Sequence, residues 1–339
     1  MKNFIVPIFI PNISCPTRCV FCDQGLITSE RPRIPTPQEI RNVLTRAVNS
    51  KKYRRENENQ VAFYGGSFTG LTEMRIKLLL AAVKDFLEKG LFKSIRVSTR
   101  PDLLDDEKLE LMRSCGVKFV ELGAQSMDDK VLRATNRGHR VIDTINGFWT
   151  LRDKGFLVGI QLMPGLPMET ESSFRETIKK TVELKPDSVR LYPTVVIQGT
   201  ELARMYRQGL FKPLDLDEAI ERCAWAVNEL ERAGIPVIRI GLMSSSALME
   251  KGLVVAGPWH PSLGQMVRSR IFLRRIAGSL SGSVRGKRVA LTVHSNDLSF
   301  LRGFRDQGTK YLEKILGAEI VSIATDNALS RGEIRIRTI

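Results

Sequence analysis

Histidine is almost missing from this 339-residue chain. There are three, His139, His260 and His294, and none stands at metal-ligand spacing. An imidazole-based metal centre is therefore not expected. Cysteine is scarce too, and five residues do not make a disulfide scaffold. Three of the five are clustered, which fits a reducing compartment, so a cytoplasmic location is expected. No run of about 18 apolar residues occurs, so neither a membrane-spanning helix nor a membrane partner is expected. The short apolar run near the N-terminus is broken by Pro7 and Pro11 and does not resemble a signal peptide. Aromatic residues make up only 7%, and no aromatic-rich pattern of the kind that stacks RNA bases stands out. No internal repeat or low-complexity segment is found.

What is present is a basic, globular chain. Hydrophobic residues make up 42% and charged residues 26%, enough for a large core. The net charge is +15, which favours polyanions through phosphate contacts and counterion release. Residues 250–339 hold fifteen Lys and Arg against seven Asp and Glu. A basic helix expected at 265–276 carries Arg268, Arg270, Arg274 and Arg275, and is either a nucleic-acid surface or a solvated face.

Strand and helix patterns alternate through the N-terminal two-thirds, which argues for an α/β fold with parallel strands and crossover helices. Strands are expected at 4–10, 61–64, 94–99, 117–123, 156–163 and 188–192, with a seventh possible at 236–240. The clearest helix starts after Thr72, places Ile76, Leu79, Leu80, Val83 and Leu87 on one face, and stops at Gly90. Further helices are expected at 105–112 and 169–182. From about residue 250 the character changes, and a small α+β domain is expected over 250–339, with strands at 287–294, 319–324 and 333–338. The core domain is placed at 1–245.

The stretch Cys15-Pro-Thr-Arg-Cys19-Val-Phe21-Cys22 follows the first expected strand and sets three cysteines at C-x3-C-x2-C. Thiolates are soft and select zinc, copper(I) or iron–sulfur clusters. A closed zinc site takes four ligands, but Cys115 and Cys223 are isolated. Three thiolates on a four-iron cluster leave one iron able to bind a substrate or cofactor. The alternatives are a zinc set completed by a distant ligand, or a redox pair.

With Phe21 just before the third cysteine, the stretch resembles the cluster motif of the radical S-adenosylmethionine (radical SAM) enzymes. The resemblance implies an incomplete (β/α)6 barrel, and a [4Fe-4S] cluster on Cys15, Cys19 and Cys22. Its open iron would chelate the amino and carboxylate groups of SAM. One electron, from an external donor of the flavodoxin or ferredoxin type, would cleave SAM to methionine and a 5′-deoxyadenosyl radical. That radical abstracts hydrogen from a substrate.

Parallel barrels place their chemistry after the strand ends, and unusual residues cluster there. Gly65, Gly66 and Ser67 look like the family's segment for the SAM amino group, with Ser67 replacing the usual acid. Arg100, after Ser98 and before Pro101-Asp102, is a candidate for the SAM carboxylate or, equally on residue chemistry, for a surface pair with an aspartate. Gln125 and Gln161 are candidate contacts to ribose or adenine, and Phe21 joins them in the cofactor set. Thr-Arg-Pro-Asp at 99–102, Thr-Asn-Arg-Gly-His at 135–139 and Arg-x-Tyr-Pro-Thr-x-x-Ile-x-Gly-Thr at 190–200 resemble the radical SAM domain of the Elongator catalytic subunit, which modifies the wobble uridine of tRNA. Gly-Gly-Ser-Phe-Thr and Gly-Leu-Pro-x-Glu-Thr also look like oxygen-independent coproporphyrinogen oxidase. The resemblance makes Asn136, Arg137, His139, Arg190 and Tyr192 the candidates for facing an RNA substrate, most simply tRNA. His139 could carry protons near neutral pH.

Two features depart from the Elongator pattern. The cysteines are more compactly spaced, and no Gln/Arg-x-x-Gly-x-Gly/Ala pyrophosphate loop follows, so acetyl-CoA is not expected as a partner. Two other functions stay open at this point. One is radical chemistry on a small carboxylated metabolite or a tetrapyrrole. The other is a non-catalytic, metal-stabilised RNA-binding module.

Overall fold

The computed structural model describes residues 4–10, 13–28, 33–243, 245–250, 252–280 and 284–339. They form two compact units. The first is Met1–Leu214 with Glu229–Pro258, and the second is Asp215–Asn228 with Trp259–Ile339. The boundary read from the sequence, at 245–250, keeps the helix Leu216–Arg232 whole in the first domain, whereas most of it groups with the second unit.

The strands of the first unit are β1 (Ile5–Phe9), β2 (Gln60–Tyr64), β3 (Ser94–Thr99), β4 (Val117–Gln125), β5 (Leu157–Leu162), β6 (Ser188–Leu191), β7 (Val196–Ile197), β8 (Val237–Ile240) and β9 (Val254–Ala256). Seven of them make one sheet in the order β1-β2-β3-β4-β5-β6-β8, each parallel to its neighbour. β1 and β8 are its two edges, so the barrel is incomplete, as expected, but with a seventh strand added to the six. β7 and β9 form a separate antiparallel pair.

Val61, Ala62 and Phe63 are consecutive in β2 and all buried. A strand covered on both faces is apolar without alternation, which is the mark of a parallel sheet under helices. The helix Glu73–Glu88 supplies such cover, burying Ile76, Leu79, Leu80, Ala82 and Val83. Thr72 holds its N-cap position without a side-chain hydrogen bond. The helix Pro37–Val48 starts more firmly, with a proline in its first turn and a capping box between Thr36 and Glu39. The helices expected at 105–112 and 169–182 are Asp106–Ser114 and Glu171–Leu184.

The second unit holds β10 (Arg288–Val293), β11 (Glu319–Thr325) and β12 (Ile334–Thr338) in the order β11-β10-β12. β10 is parallel to β11 and antiparallel to β12. Val289, Leu291 and Val293 pack from the central strand with Phe272, Leu273, Ile276, Leu301 and Leu312. This is the expected α+β arrangement. The basic helix, Leu263–Leu280, does not offer a row of free cations. Arg270 pairs with Asp217 and Glu221, Arg274 pairs with Glu221, and Arg275 donates to the Gly332 carbonyl. Among the described residues, no helix is long and apolar enough to cross a membrane.

Candidate active site at the strand ends

A cavity of about 910 Å³ lies in the first unit, lined by residues at or just after the C-terminal ends of β1 to β6. Cys15, Cys19 and Cys22 line it, as do Phe21, Gly65, Gly66, Ser98, Gln125, Arg137, Gln161, Arg190 and Tyr192. Twelve of the sixteen residues singled out in the sequence therefore meet in one place. The other four, Ser67, Arg100, Asn136 and His139, lie outside its lining.

The cysteine loop is fixed from several sides. The Val20 amide donates to the Thr135 carbonyl, and the Leu202 amide donates to the Val20 carbonyl. The Asn136 side chain donates to the Arg18 carbonyl at 3.0 Å, and Arg137 Nη1 donates to Cys19 Sγ at 3.4 Å. The Gly66 amide donates to Gln24 Oε1 at 2.6 Å, which ties the residues after Cys22 to the turn after β2. Gly65 has φ +87°, and a Cβ there would stand 3.2 Å from the Ile10 carbonyl oxygen, so that turn requires glycine. At the end of β4 the register shifts between Gly123 and Gln125, and Gln125 has φ +68°. The bulge leaves the Gln125 amide oxygen accepting from Gln161 at 3.1 Å, both lining the cavity.

Three of the four outlying residues, Ser67, Arg100 and Asn136, are held in side-chain hydrogen bonds. Ser67 is fully buried, with its hydroxyl 2.7 Å from Thr99 Oγ1 and accepting from the Arg100 amide. Arg100 is also buried. Its Nε and Nη2 bind both oxygens of Asp102, at 2.9 and 2.7 Å, and its Nη1 donates to Thr17 Oγ1. That guanidinium is committed to Asp102 and Thr17 and lies outside the cavity lining. Asn136 braces Arg18, as described. For His139, burial first and Arg137 second hold the imidazole down to about 3. It is neutral in ordinary solution and does not titrate near neutral pH, contrary to the expectation from its type.

Another part of the wall is a buried polar network that the sequence reading did not assemble. Glu121 Oε1 accepts from Arg96 Nη1 at 2.5 Å and from Arg190 Nε at 3.0 Å. Arg190 also donates to Tyr192 Oη at 3.0 Å and to Tyr64 Oη at 2.5 Å. Burial, then the Glu121 carboxylate, pushes the Tyr64 phenol up. One signal for Glu121 was available. An acid between Val120 and Leu122 in the covered part of a strand has to find a cation. Tyr64 gave a weaker one, as the last residue before Gly65-Gly66.

None of the three cysteines is in a disulfide. Burial, then the neighbouring Cys19 and Cys15 sulfurs, pushes Cys22 up to about 12. Burial pushes Cys15 up as well, against the pull of Arg137. Among the described residues, no group of three His, Cys, Asp or Glu converges as the ligands of one metal ion do. The donor set is three soft thiols on one loop and one cavity, which is the chemistry that an iron–sulfur cluster takes.

Comparison with known proteins agrees with this geometry. The tRNA uridine(34) acetyltransferase of Methanocaldococcus infernus is 29% identical over 259 residues, which is 66% of this chain and 48% of that protein. Elongator complex protein 3 of Homo sapiens is 36% identical over 149 residues, 42% of this chain and 27% of that protein. The chain thus spans about half the length, or less, of these relatives. The solved structure of archaeal Methanocaldococcus infernus Elp3 with an N-terminal deletion superposes with a TM-score of 0.61 at 25% identity, over 79% of this chain and 62% of that one. Residues 186–272 match the Radical_SAM C-terminal domain. Residues 9–181 match the Radical SAM superfamily, a span that takes in the cysteine loop and the whole of β2 to β5, so this chain belongs to that superfamily and is a radical SAM enzyme.

Proposed function

We propose that this enzyme acts on a nucleoside of tRNA, or of another RNA, bound in the cavity that carries the three cysteines. The observation that carries the proposal is the shared cavity, because Arg190, Tyr64 and Tyr192 line the same enclosure as the three cysteines. The bound [4Fe-4S] cluster and SAM would supply a 5′-deoxyadenosyl radical, formed with one electron from a flavodoxin- or ferredoxin-type donor. Cys15, Cys19 and Cys22 would hold the cluster. Gly65 and Gly66 leave their backbone open to the SAM amino group, and Ser98, Gln125 and Gln161 present polar groups to the rest of SAM.

Arg190 donates to both phenol oxygens, so each phenol must direct its own proton elsewhere. Both phenols line the cavity. They are therefore positioned to donate to acceptor groups such as the carbonyls of a base. Phe9, Phe21, Met163, Val195 and Ile197 give the cavity apolar walls that exclude water from a reactive carbon radical. The net charge of +15 and the likeness to a tRNA uridine(34) acetyltransferase support an RNA substrate. No acetyl-CoA step is proposed.

The test is anaerobic incubation with SAM, dithionite and total tRNA, followed by nucleoside mass spectrometry. 5′-Deoxyadenosine and a new or shifted nucleoside are expected from the wild type and neither from Cys19→Ala. Release of 5′-deoxyadenosine with an unchanged nucleoside profile would remove RNA from the proposal.

A further inference from the structure

We infer that Arg137 is the counter-cation of the cluster and raises its reduction potential through Cys19. The inference rests on the proposal that Cys15, Cys19 and Cys22 hold a [4Fe-4S] cluster.

Arg137 is only 6% exposed. Its Nη1 donates to Cys19 Sγ at 3.4 Å and its Nη2 to the Gly123 carbonyl at 2.5 Å, while its Nε meets no partner. None of its contacts among the described residues is a carboxylate. A buried charge without a counter-charge is strongly disfavoured. Arg100 shows the alternative in the same neighbourhood, since Asp102 neutralises it through two hydrogen bonds. Arg137 lacks such a partner, and the negative charge it needs is that of the cysteine thiolates.

The approach of the guanidinium is built into the sheet. A Cβ at Gly123 would stand 2.8 Å from Arg137 Nη2, so a side chain there would displace the arginine. Reduction adds an electron to the cluster. A fixed cation and an N–H donor beside a ligating sulfur stabilise the more negative state, and cluster potentials follow local charge and hydrogen bonding to sulfur. Arg137 thereby eases electron delivery from a donor of limited reducing power. It is a positioning and tuning residue rather than a substrate contact.

The wild type, Arg137→Gln and Arg137→Lys would each be reconstituted anaerobically with iron and sulfide. Midpoint potentials would be read without SAM by redox titration monitored by electron paramagnetic resonance, with iron content measured alongside. Arg137→Gln is expected to disfavour reduction about tenfold or more, a fall of about 59 mV or more for one electron. Arg137→Lys should restore at least half of that fall, because it keeps the charge. Equal potentials in all three proteins at equal iron content would overturn the inference. So would equal shifts in both variants, which would point to geometry rather than charge. A folded Arg137→Gln protein that takes up no iron would also overturn it, making the arginine a requirement of the loop. A wild type that takes up no iron and sulfide would instead refute the cluster assignment itself.

Discussion

Glu121 is the carboxylate on which two buried guanidinium groups depend. It, Arg96 and Arg190 have side-chain exposures of 5%, 5% and 13%. Removing one member of a buried charged set leaves the others unpaired, at about 3–5 kcal/mol. Glu121→Ala is therefore expected to lower unfolding free energy by about that much in urea denaturation, and a change below 1 kcal/mol would show that water reaches the arginines. The same residue shows how much chemistry the sequence disclosed at this scale. An acid between Val120 and Leu122 demanded a cation, but two, Arg96 and Arg190, answered from strands separated from it by 25 and 69 positions. Arg100 gave the opposite lesson. Its residue type fitted a cofactor carboxylate, and Asp102, two residues on, claimed it first.

At the scale of the element, Thr-Asn-Arg-Gly-His at 135–139 changes its meaning. Read as a motif, it offered three groups to a substrate. In the fold it stands behind the cysteine loop, with Thr135 accepting from Val20, Asn136 holding Arg18 and Arg137 reaching Cys19. Gly138 has φ +79°, and a Cβ there would stand 3.0 Å from Thr17 Oγ1, so the close approach of the two loops depends on glycine. The helix Pro37–Val48 carries a pH-dependent device of its own. Arg33 first, then the Thr36 amide, holds Glu39 down from 4.5 to about 2. A carboxylate lowered by folding contributes fully above its unfolded value and loses that contribution as pH falls through the folded one. The capping box should therefore stay closed above about pH 4.5 and open as the pH falls through about 2. The Thr36 amide shift, followed by nuclear magnetic resonance in a pH titration, checks this. An inflection near 4.5 would show that the Arg33 contact does not persist in solution.

At the scale of the whole molecule, Asp215–Asn228 belongs with Trp259–Ile339 although thirty residues separate them. A chain cut after Pro258 keeps Asp217 and Glu221 but loses their partners Arg270 and Arg274. It also keeps Ile220, Cys223 and Val227, all buried in the full chain. Such a chain is expected to melt lower than the full chain by on the order of 10 °C, or to aggregate. A truncated protein with an unchanged melting temperature would show that residues 215–228 need no partner from the tail.

The residue pattern alone specified the parallel sheet, because strand and helix periodicity are local and covered strands must be apolar. It determined the soft three-sulfur donor set as well, because all three ligands lie on one short loop. It also marked the strand ends where twelve of the candidate residues meet. Which polar side chains open into the cavity, and which lock the loops behind it, was settled by the folded arrangement of the strands. Residue type gives the chemistry that a side chain can perform, but orientation and competing partners decide which contact it makes, and those are set by strands far apart in the chain.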